Sequence, residues 1–346
     1  MFNDKVVLIT GGTGSLGKQL TKILLTEYQP KKLIIFSRDE LKQFQMAQQW
    51  NPDQYPCMRY FLGDVRDKER LVRAFHGVDY VIHAAALKQV PAAEYNPVEF
   101  IRTNIMGAMN VIDAALENQV QRVVALSTDK ACNPVNLYGA TKLCSDKLFI
   151  AGNVYSSSGE KVFSVVRYGN VVGSRGSVIP YFKDCAQKGV IPITDARMTR
   201  FWITLDQAAR FVLRVLQQAR GGEIFVPKIP SMRIADLASA IAPECRQDII
   251  GIRPGEKIHE LLIGRDDTRN TLEFDEHYIL MPQYLFERRA GEYSEARPCA
   301  DGFEYESGTN PWFMGVEELR QMVVAIGDDY TNGHTVYSTA PFSPYE

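Results

Sequence analysis

The turn between the first predicted strand and the first predicted helix constrains the fold of this chain more than any other feature. Residues 5–10, KVVLIT, are mostly apolar and β-branched, which predicts a buried strand. The glycine-rich stretch TGGTGSLG, residues 10–17, follows directly and leads into a helix predicted from Ser15 to about Tyr28. A strand, a glycine-rich turn and a helix in this order are typical of a doubly wound sheet whose first helix binds phosphate at its N-terminus.

Strand and helix patterns then alternate through the first half of the chain. Further strands are predicted at 32–36, 59–63, 78–83, 122–126 and 161–167, and the clearest helices at 97–118 and 206–218. This alternation predicts an α/β fold, a Rossmann-type doubly wound parallel sheet with a smaller C-terminal α/β substrate-binding lobe. We expect the Rossmann domain mainly in residues 1–169 and the lobe mainly in 170–327. Residues 328–346 are polar and aperiodic, which predicts a tail.

Composition and charge exclude several classes of function. The 346 residues carry a formal net charge of −2, which gives no reason to expect nucleic acid or an acidic membrane surface as a partner. No apolar run approaches the roughly 20 residues of a membrane-spanning helix, and no signal peptide is visible, so we expect a cytoplasmic protein. The six cysteines and five histidines lack the spacing of metal ligands. We therefore predict no metal site, and we interpret His83 as a packed core residue.

The glycine-rich turn predicts a dinucleotide site, because glycines let a pyrophosphate approach the backbone where the helix begins. The residues assigned to this contact are Gly11, Thr13, Gly14, Ser15, Leu16 and Gly17. After the fourth strand come three small residues that leave room for the cofactor ribose, namely Ala84, Ala85 and Ala86.

The end of the second strand decides between NAD and NADP. Arg38 can face a 2′-phosphate and Ser37 can donate to it, which favours NADP. Asp39 keeps NAD open, because a carboxylate there can bind the ribose hydroxyls. After the third strand, Asp64 is assigned either to the adenine amino group or to the N-cap of the next helix. The set assigned to the cofactor also includes Lys42 and Val65.

Tyr138 and Lys142 have the spacing at which nicotinamide enzymes place the residues that move a hydride. They are four positions apart, so on a helix they share one face. A phenol has a pKa of about 10, and bringing it near 7 requires a shift of roughly three units. We attribute that shift to Lys142 and to the positive charge of the oxidised nicotinamide.

A second reactive group precedes the tyrosine, at the C-terminal edge of the fifth strand, where open α/β sheets bind their ligands. Asp129 and Lys130 add an acid and an amine there, and Thr128 is placed to hydrogen-bond a sugar-like hydroxyl. A simple alcohol dehydrogenase has no need of such a pair. We therefore predict a reaction of more than one step.

Taken together, these motifs resemble the inverting UDP-N-acetylglucosamine 4,6-dehydratases of the extended short-chain dehydrogenase/reductase superfamily. The resemblance runs from about residue 5 to 263 and continues more weakly to 325. Its markers are residues 11–15, 37–40, 85–88, 127–131, 170–171 and 253–257. Membrane-anchored retaining relatives usually carry methionine at the position of Tyr138, which favours the soluble inverting group.

The resemblance implies an NADP-dependent dehydration of UDP-N-acetylglucosamine with inversion at C5. By resemblance, Tyr138 takes the C4 hydroxyl proton, Asp129 is the acid at C6 and Lys130 is the base at C5. A base role for Lys130 requires that the pKa of its amine be lowered. The implied product is UDP-2-acetamido-2,6-dideoxy-β-L-arabino-hex-4-ulose, the first intermediate toward pseudaminic acid, a sugar attached to flagellin. The family also implies a homo-oligomer, a dimer or a hexamer.

The second half of the chain supplies residues for the substrate. Its cations can meet the two phosphates of UDP, and they are Arg175, Arg200, Arg253 and Lys257. By resemblance, Asn170 contacts a diphosphate or sugar oxygen and Glu256 holds the ribose hydroxyls. The substrate set further includes Ser177, Val178, Thr194 and Met198. Lys88 is assigned to both ligands, and Val171 is assigned to the cofactor.

Three other functions stay open at this stage. A nucleotide-sugar 4-epimerase or ketoreductase shares the fold, but Asp129 and Lys130 argue against it. A C5-retaining 4,6-dehydratase is disfavoured by Tyr138. A non-catalytic NADP-binding scaffold commonly loses the tyrosine or the lysine, whereas this chain keeps both Tyr138 and Lys142.

Overall fold

The first strand, Val6–Thr10, is buried along its whole length and lies inside a ten-stranded sheet. This sheet dominates the computed structural model, which describes residues 1–156, 161–173 and 178–326. The predicted sites Arg175 and Ser177 and the predicted tail at 328–346 lie outside the described residues.

The secondary structure follows the predicted alternation through the first half and breaks into short elements in the second. The strands are Val6–Thr10 (β1), Lys32–Ser37 (β2), Met58–Leu62 (β3), Tyr80–His83 (β4), Arg122–Leu126 (β5), Val162–Val166 (β6), Asn170–Val172 (β7), Val190–Ile193 (β8), Thr199–Thr204 (β9), Ile224–Pro227 (β10), Ser231–Arg233 (β11), Arg246–Ile249 (β12), Leu261–Ile263 (β13), Thr271–Glu273 (β14), His277–Leu280 (β15), Arg297–Pro298 (β16) and Tyr305–Glu306 (β17). The α-helices are Ser15–Glu27 (α1), Glu40–Gln49 (α2), Lys68–Ala74 (α3), Val90–Tyr95 (α4), Pro97–Phe100 (α5), Gly107–Glu117 (α6), Leu137–Gly152 (α7), Val178–Ala186 (α8), Leu205–Gln218 (α9), Ile234–Ile241 (α10), Gln283–Arg289 (α11) and Val316–Ile326 (α12).

The large sheet has the strand order β16-β14-β15-β10-β6-β5-β4-β1-β2-β3. Strands β3, β2, β1, β4, β5, β6 and β10 pair in parallel, which confirms the doubly wound parallel sheet. The remaining edge is antiparallel, with β15 against β10 and β14 against both β15 and β16. The sequence did not predict this edge, because strands of two to four residues are too short to show a periodic pattern.

The predicted helix at 97–118 is helical throughout but not uniformly α-helical. Between α5 and α6 the backbone winds as a π-helix over Ile101–Met106. The buried Asn104 lies in this segment and bonds both backbone groups of Leu87. Its Nδ2 donates to the Leu87 carbonyl oxygen at 2.9 Å, and its Oδ1 accepts from the Leu87 N–H at 2.9 Å. Its Nδ2 also donates to Thr141 Oγ1 at 3.0 Å. The π-segment therefore joins the loop after β4 to helix α7, in keeping with the frequent occurrence of π-bulges at functional sites.

Three hydrophobic clusters lie in the described part of the chain, and the smallest consists of Ala93, Phe100 and Tyr138. The largest one fills both faces of the ten-stranded sheet, and β10, β14 and β15 contribute to it although they follow residue 170. The second packs α8, α10 and α12 together around side chains such as Phe182, Leu237 and Leu319. None of the helices in the ranges given above is both long and apolar enough to cross a membrane.

Candidate active site

The glycine-rich turn presses against the end of β4. Gly11 has a φ of +66°, and a Cβ at this position would lie 2.8 Å from both Cα and N of Ala85. Only glycine fits this left-handed, closely packed position. Gly14 is the N-cap of α1 and has no side chain to close the first turn. The backbone of the turn and the N-terminus of α1 thus form a cradle suited to a phosphate group, beside Ala84, Ala85 and Ala86.

The end of β2 separates the roles of Arg38 and Asp39. Asp39 caps α2 by accepting from the backbone N–H of Lys42 at 3.0 Å, and it also pairs with the Lys42 ammonium. The side chain of Arg38 is 55% exposed, and its Nη1 lies 3.8 Å from Asp64 Oδ2. Ser37 is buried and accepts from Gln43 Nε2 at 3.1 Å. Among these residues, Arg38 is therefore the one that projects at the strand end.

Asp64 does not cap the helix that follows it. Asp67 is the N-cap of α3, so the capping alternative for Asp64 is wrong. Asp64 instead accepts from the guanidinium of Arg66 at 2.7 and 3.0 Å. Burial acts to raise the pKa of the Asp64 carboxyl, but these hydrogen bonds outweigh it and hold the pKa below its ordinary value. Asp64 is ionised at neutral pH and faces the same strand ends as Arg38.

Helix α7 carries Tyr138 and Lys142 on one buried face. Asn136 caps the helix by accepting from the N–H of Gly139 at 2.8 Å. Gly139 faces the 3-10 turn Asp129–Ala131, and a Cβ there would lie only 2.1 Å from the carbonyl oxygen of Lys130. This close approach brings the first turn of α7, and with it Tyr138, against the segment that carries Asp129 and Lys130.

The Tyr138 phenol is protonated in this environment. Burial raises its pKa to about 12, while the nearby Lys130 ammonium and a hydrogen bond with the Thr128 hydroxyl act to lower it. Lys130 is thus a cation near the phenol that the sequence did not predict, and the predicted action of Lys142 and of the oxidised nicotinamide stays a prediction. Burial lowers the pKa of Lys142 itself, and the carboxylate of Asp146 partly opposes this.

Asp129, Lys130, Glu260 and Arg200 form one largely buried charge cluster, in which the Lys130 side chain keeps 24% exposure. Lys130 Nζ lies 3.1 Å from Asp129 Oδ1 and 3.1 Å from Glu260 Oε1. Arg200 Nε lies 3.7 Å from the same Glu260 oxygen. The side chains of Asp129 and Glu260 are 1% and 3% exposed. Within the described chain, the second carboxylate oxygen of each, Asp129 Oδ2 and Glu260 Oε2, has no hydrogen-bond partner.

In this cluster the pKa of Lys130 moves in the direction opposite to the predicted one, whereas that of Asp129 suits its predicted role. Burial raises the pKa of Asp129, which suits it to hold a proton as an acid. Burial acts to lower the pKa of Lys130, but the carboxylates of Asp129 and Glu260 outweigh it and raise that pKa above its ordinary value. The predicted lowering of the Lys130 pKa is therefore wrong. Burial also acts to raise the pKa of Glu260, but Lys130 and Arg200 outweigh it and hold Glu260 ionised.

Glu260 is a site residue that the sequence did not reveal. The adjacent His259 and Glu260 match no metal-ligand spacing, so no motif marks this segment. The available signal was that the acidic Glu260 directly precedes the apolar, buried strand β13. A charge buried beside such a strand needs a partner. The partner itself, Lys130, is 130 positions away in the sequence and emerges only from the fold.

Residues predicted for the substrate surround this cluster. The backbone N–H of Asp129 donates to the carbonyl oxygen of Tyr168 at 3.1 Å, which brings the segment leading into β7 beside the cluster. Asn170 opens β7, and its Oδ1 is buried without a hydrogen-bond partner in the described residues. Arg200 is buried and donates through Nη1 to the carbonyl oxygens of Thr199 at 2.7 Å and Ile258 at 3.1 Å. Its guanidinium is thus largely engaged by the protein.

The loop at 253–257 lies directly on the catalytic segment. Gly255 accepts from Asn136 Nδ2 at 2.8 Å, and Lys257 Nζ donates to the carbonyl oxygen of Cys132 at 2.6 Å. Arg253 stays about half exposed, with Nη1 4.0 Å from Glu256 Oε1. The loop therefore connects the predicted nucleotide residues to the N-terminus of α7.

The other assigned residues occupy varied positions. Lys88 is exposed in the loop after β4, and Val65 is buried. Thr194 donates to the buried Met198 Sδ at 2.9 Å. Val171 and Val178 are partly buried. His83 is confirmed as a core residue, since it is 2% exposed, bonds Thr10 Oγ1 at 2.8 Å and has its pKa lowered by burial to about 3.

Comparison with known proteins assigns the chain to a family. Residues 7–282 match the family of polysaccharide biosynthesis proteins. The chain belongs to this family. A curated relative, the inverting UDP-N-acetylglucosamine 4,6-dehydratase of Campylobacter jejuni subsp. jejuni serotype O:2, is 56% identical over 93% of this chain and 98% of its own length. The resemblance predicted from the motifs is thereby confirmed.

A second curated relative and a solved structure are also similar to this chain. A UDP-glucose 4-epimerase of Rickettsia conorii is 43% identical over 94% of this chain and 97% of its own length. The X-ray structure of Pen from Bacillus thuringiensis superposes with a TM-score of 0.86 at 37% identity, covering 94% of this chain and 98% of that one. The curated relatives of this chain are therefore named for different sugar chemistry.

Proposed function

We propose that this protein is an NADP-dependent UDP-N-acetylglucosamine 4,6-dehydratase that inverts C5. The observation that carries the proposal is the contact between two reactive groups, the Tyr138–Lys142 pair and the Asp129–Lys130 pair. Hydride transfer needs only the first pair, whereas loss of water also needs an acid and a base. The 56% identity to a relative named for this activity supports the same conclusion.

NADP suits the residues at the strand ends. The turn at Gly11 and the open N-terminus of α1 fit a pyrophosphate, and Arg38 projects where a 2′-phosphate would lie. Asp39, which would favour NAD, is held by the α2 N-terminus and by Lys42. When bound, the nicotinamide would accept a hydride from the sugar and later return it.

Tyr138 serves the first step. Once deprotonated, the Tyr138 oxygen, which is bonded to Thr128, takes up the proton of the C4 hydroxyl as the C4–H bond gives up its hydride. Because burial raises the phenol pKa, the positive charges of Lys130 and of the oxidised cofactor are needed to make the phenolate accessible. Lys142, on the same face of α7, is proposed to hold the nicotinamide ribose.

Asp129 and Lys130 serve the elimination. Once C4 is a ketone, the hydrogen on C5 is acidic, and Lys130 as an amine can remove it. Asp129 as an acid can protonate the leaving C6 oxygen, which departs as water. Moving one proton from Lys130 to Asp129 across their 3.1 Å contact creates both reactive forms at once. After elimination the pair is again an ammonium and a carboxylate, so protons balance within it.

The nucleotide end is proposed to lie along the 253–257 loop. Arg253 is the exposed cation there, and Glu256 beside it is assigned to the ribose. Lys88 and Asn170 Oδ1, which has no hydrogen-bond partner among the described residues, are proposed to contact the sugar or diphosphate. Since Arg200 already bonds two carbonyl oxygens, its proposed contact with phosphate is confined to its remaining donors.

We further propose that the protein acts in the cytoplasm as a homo-oligomer, either a dimer or a hexamer. In support, four apolar side chains along α5, the π-segment and α6 are exposed: Val98 54%, Ile101 39%, Met106 52% and Met109 48%. Light scattering on the purified protein would measure the assembly, and a monomer at micromolar concentration would contradict it.

A second candidate function is 4-epimerisation, favoured by the 43% identity to a UDP-glucose 4-epimerase. NMR of the reaction with UDP-N-acetylglucosamine in D₂O separates the candidates. A new C6 methyl signal identifies dehydration, and the configuration at C5 separates inversion from retention. UDP-N-acetylgalactosamine as the sole product would refute the proposed function.

A further inference from the structure

Glu260 is held rigidly, and its charge is directed at the catalytic pair. Its N–H donates to Ser307 Oγ at 2.8 Å, and its carbonyl oxygen accepts from the Ser307 N–H at 2.8 Å. Ser307 Oγ in turn bonds Thr199 Oγ1 at 2.7 Å. Both backbone groups of Glu260 are thus fixed just before β13, and the side chain extends from there to Lys130.

An ordinary structural ion pair does not account for this arrangement. Lys130 already has a buried counterion in Asp129, and a second buried carboxylate is costly unless its charge is used or balanced. Glu260 Oε1 lies closer to Lys130 Nζ, at 3.1 Å, than to Arg200 Nε, at 3.7 Å. The nearer contact is therefore with the reactive amine, and Arg200 balances the remaining charge.

We propose that Glu260 is a positioning residue that holds the Lys130 nitrogen between two carboxylates and keeps one proton on the Asp129–Lys130 pair for the elimination. This inference rests on the proposed function. The elimination needs a pair that carries a single proton, because that proton leaves with the C6 oxygen as water. Without the Glu260 carboxylate, no negative charge would balance Arg200. Its positive charge would then favour loss of the proton from the Asp129–Lys130 pair.

The charged groups around Glu260 come from three elements. They are Asp129 and Lys130 on the 3-10 turn, Arg200 on β9 and Lys257 on the loop, and Tyr138 on α7 is a further titratable group near Lys130. Glu260 acts to raise the pKa of both Asp129 and Lys130. Removing its charge must therefore lower both values, and a rate profile limited by this pair must move to lower pH on both limbs.

The test compares Glu260→Gln, which removes the charge, with Glu260→Asp, which keeps the charge but shortens the side chain. For Glu260→Gln we expect a kcat at least about tenfold lower and a kcat/KM profile moved to lower pH by about one unit or more. For Glu260→Asp we expect the profile to stay near that of the wild type while kcat falls. The KM for UDP-N-acetylglucosamine should change little in either variant. A Glu260→Gln profile that coincides with the wild type would overturn the proposal.

A measurement without substrate keeps this test separate from the proposed function. Carbon-13 NMR of protein labelled at the aspartate carboxyl follows Asp129 directly, with Asp129→Asn identifying its signal. The Asp129 midpoint should fall by about one unit or more in Glu260→Gln. An unchanged midpoint refutes the role of Glu260, whatever the reaction. If Glu260→Gln does not fold, full wild-type kcat in Glu260→Asp refutes it instead. A wild-type protein that forms no C6 methyl refutes the proposed function alone.

Discussion

Replacing Gly139 by alanine should separate the two reactive groups of the site. The added Cβ would lie 2.1 Å from the Lys130 carbonyl oxygen, whereas ordinary contact begins at 3.4 Å. The first turn of α7 and the turn at Asp129–Ala131 must therefore move apart by about 1.3 Å, the difference of these two distances. Both partners are backbone, so no side-chain rotation relieves the contact.

We expect Gly139→Ala to reduce the catalytic rate more than the stability of the fold. Overpacking of this kind lowers the free energy of unfolding by about 1–3 kcal/mol, whereas alanine stabilises a helix by about 1 kcal/mol relative to glycine. A displacement of about 1 Å between catalytic groups costs roughly 100-fold in rate. Gly139→Ala should thus stay folded at 25 °C and lose about two orders of magnitude in kcat, because Tyr138 moves away from Thr128 and Lys130.

The assay is the rate of C6 methyl formation by NMR, with thermal unfolding recorded on the same samples. Gly152→Ala is a matched control at the end of the same helix, where the nearest atom to the new Cβ is Ile112 Cγ2 at 3.3 Å. This control should keep its rate within about twofold, since its neighbours can adjust by tenths of an ångström. A Gly139→Ala protein that turns over at the wild-type rate would show that the contact between α7 and the turn does not position the site.

Further variants test other contacts. Tyr138→Phe should abolish turnover while NADP binding, followed by fluorescence titration, stays near wild type; full activity would remove Tyr138 from the mechanism. Arg38→Ala should weaken NADP binding about tenfold or more and leave NAD binding nearly unchanged, because only NADP carries the 2′-phosphate; equal loss for both cofactors would contradict this. Asp146→Asn should lower the free energy of unfolding in urea by about 3–5 kcal/mol, since Asp146 Oδ2 is buried and bonds Ser127 Oγ at 2.7 Å and Arg167 Nη2 at 3.2 Å. Asp206→Asn provides the control, because Asp206 is exposed and pairs with Arg210 one helical turn along. This change should lower the free energy of unfolding by about 1 kcal/mol or less.

Local patterns in the sequence were enough to predict the parallel sheet and the elements that carry the site. All six strands predicted in the first half occur, and all but β3 are largely buried apolar runs, as expected of strands inside a parallel sheet. The Gly11 turn and the position of Tyr138 and Lys142 on one face of α7 likewise depend only on residues close in sequence. The antiparallel edge formed by β14, β15 and β16 has no comparable signal.

The electrostatics of the site could not be predicted in the same way. Whether Lys130 is an amine or an ammonium depends on burial, on the adjacent Asp129 and on Glu260, which lies far away in the chain. Asp64 posed a similar problem, since the choice of Asp67 as N-cap depends on where α3 begins. Spacing identifies which groups are present, whereas their charge states depend on the three-dimensional arrangement.

The hydrogen bonds from Asn136 to Gly255 and from Lys257 to Cys132 have a consequence for how substrates are chosen. They connect the region proposed for the nucleotide to the start of the helix that carries Tyr138. Binding energy gained far from the reacting carbons can then be used to align the reacting groups. A sugar phosphate without its uridine would lose this alignment as well as affinity. The enzyme would therefore discriminate against incomplete substrates in the chemical step, and not only by how tightly they bind.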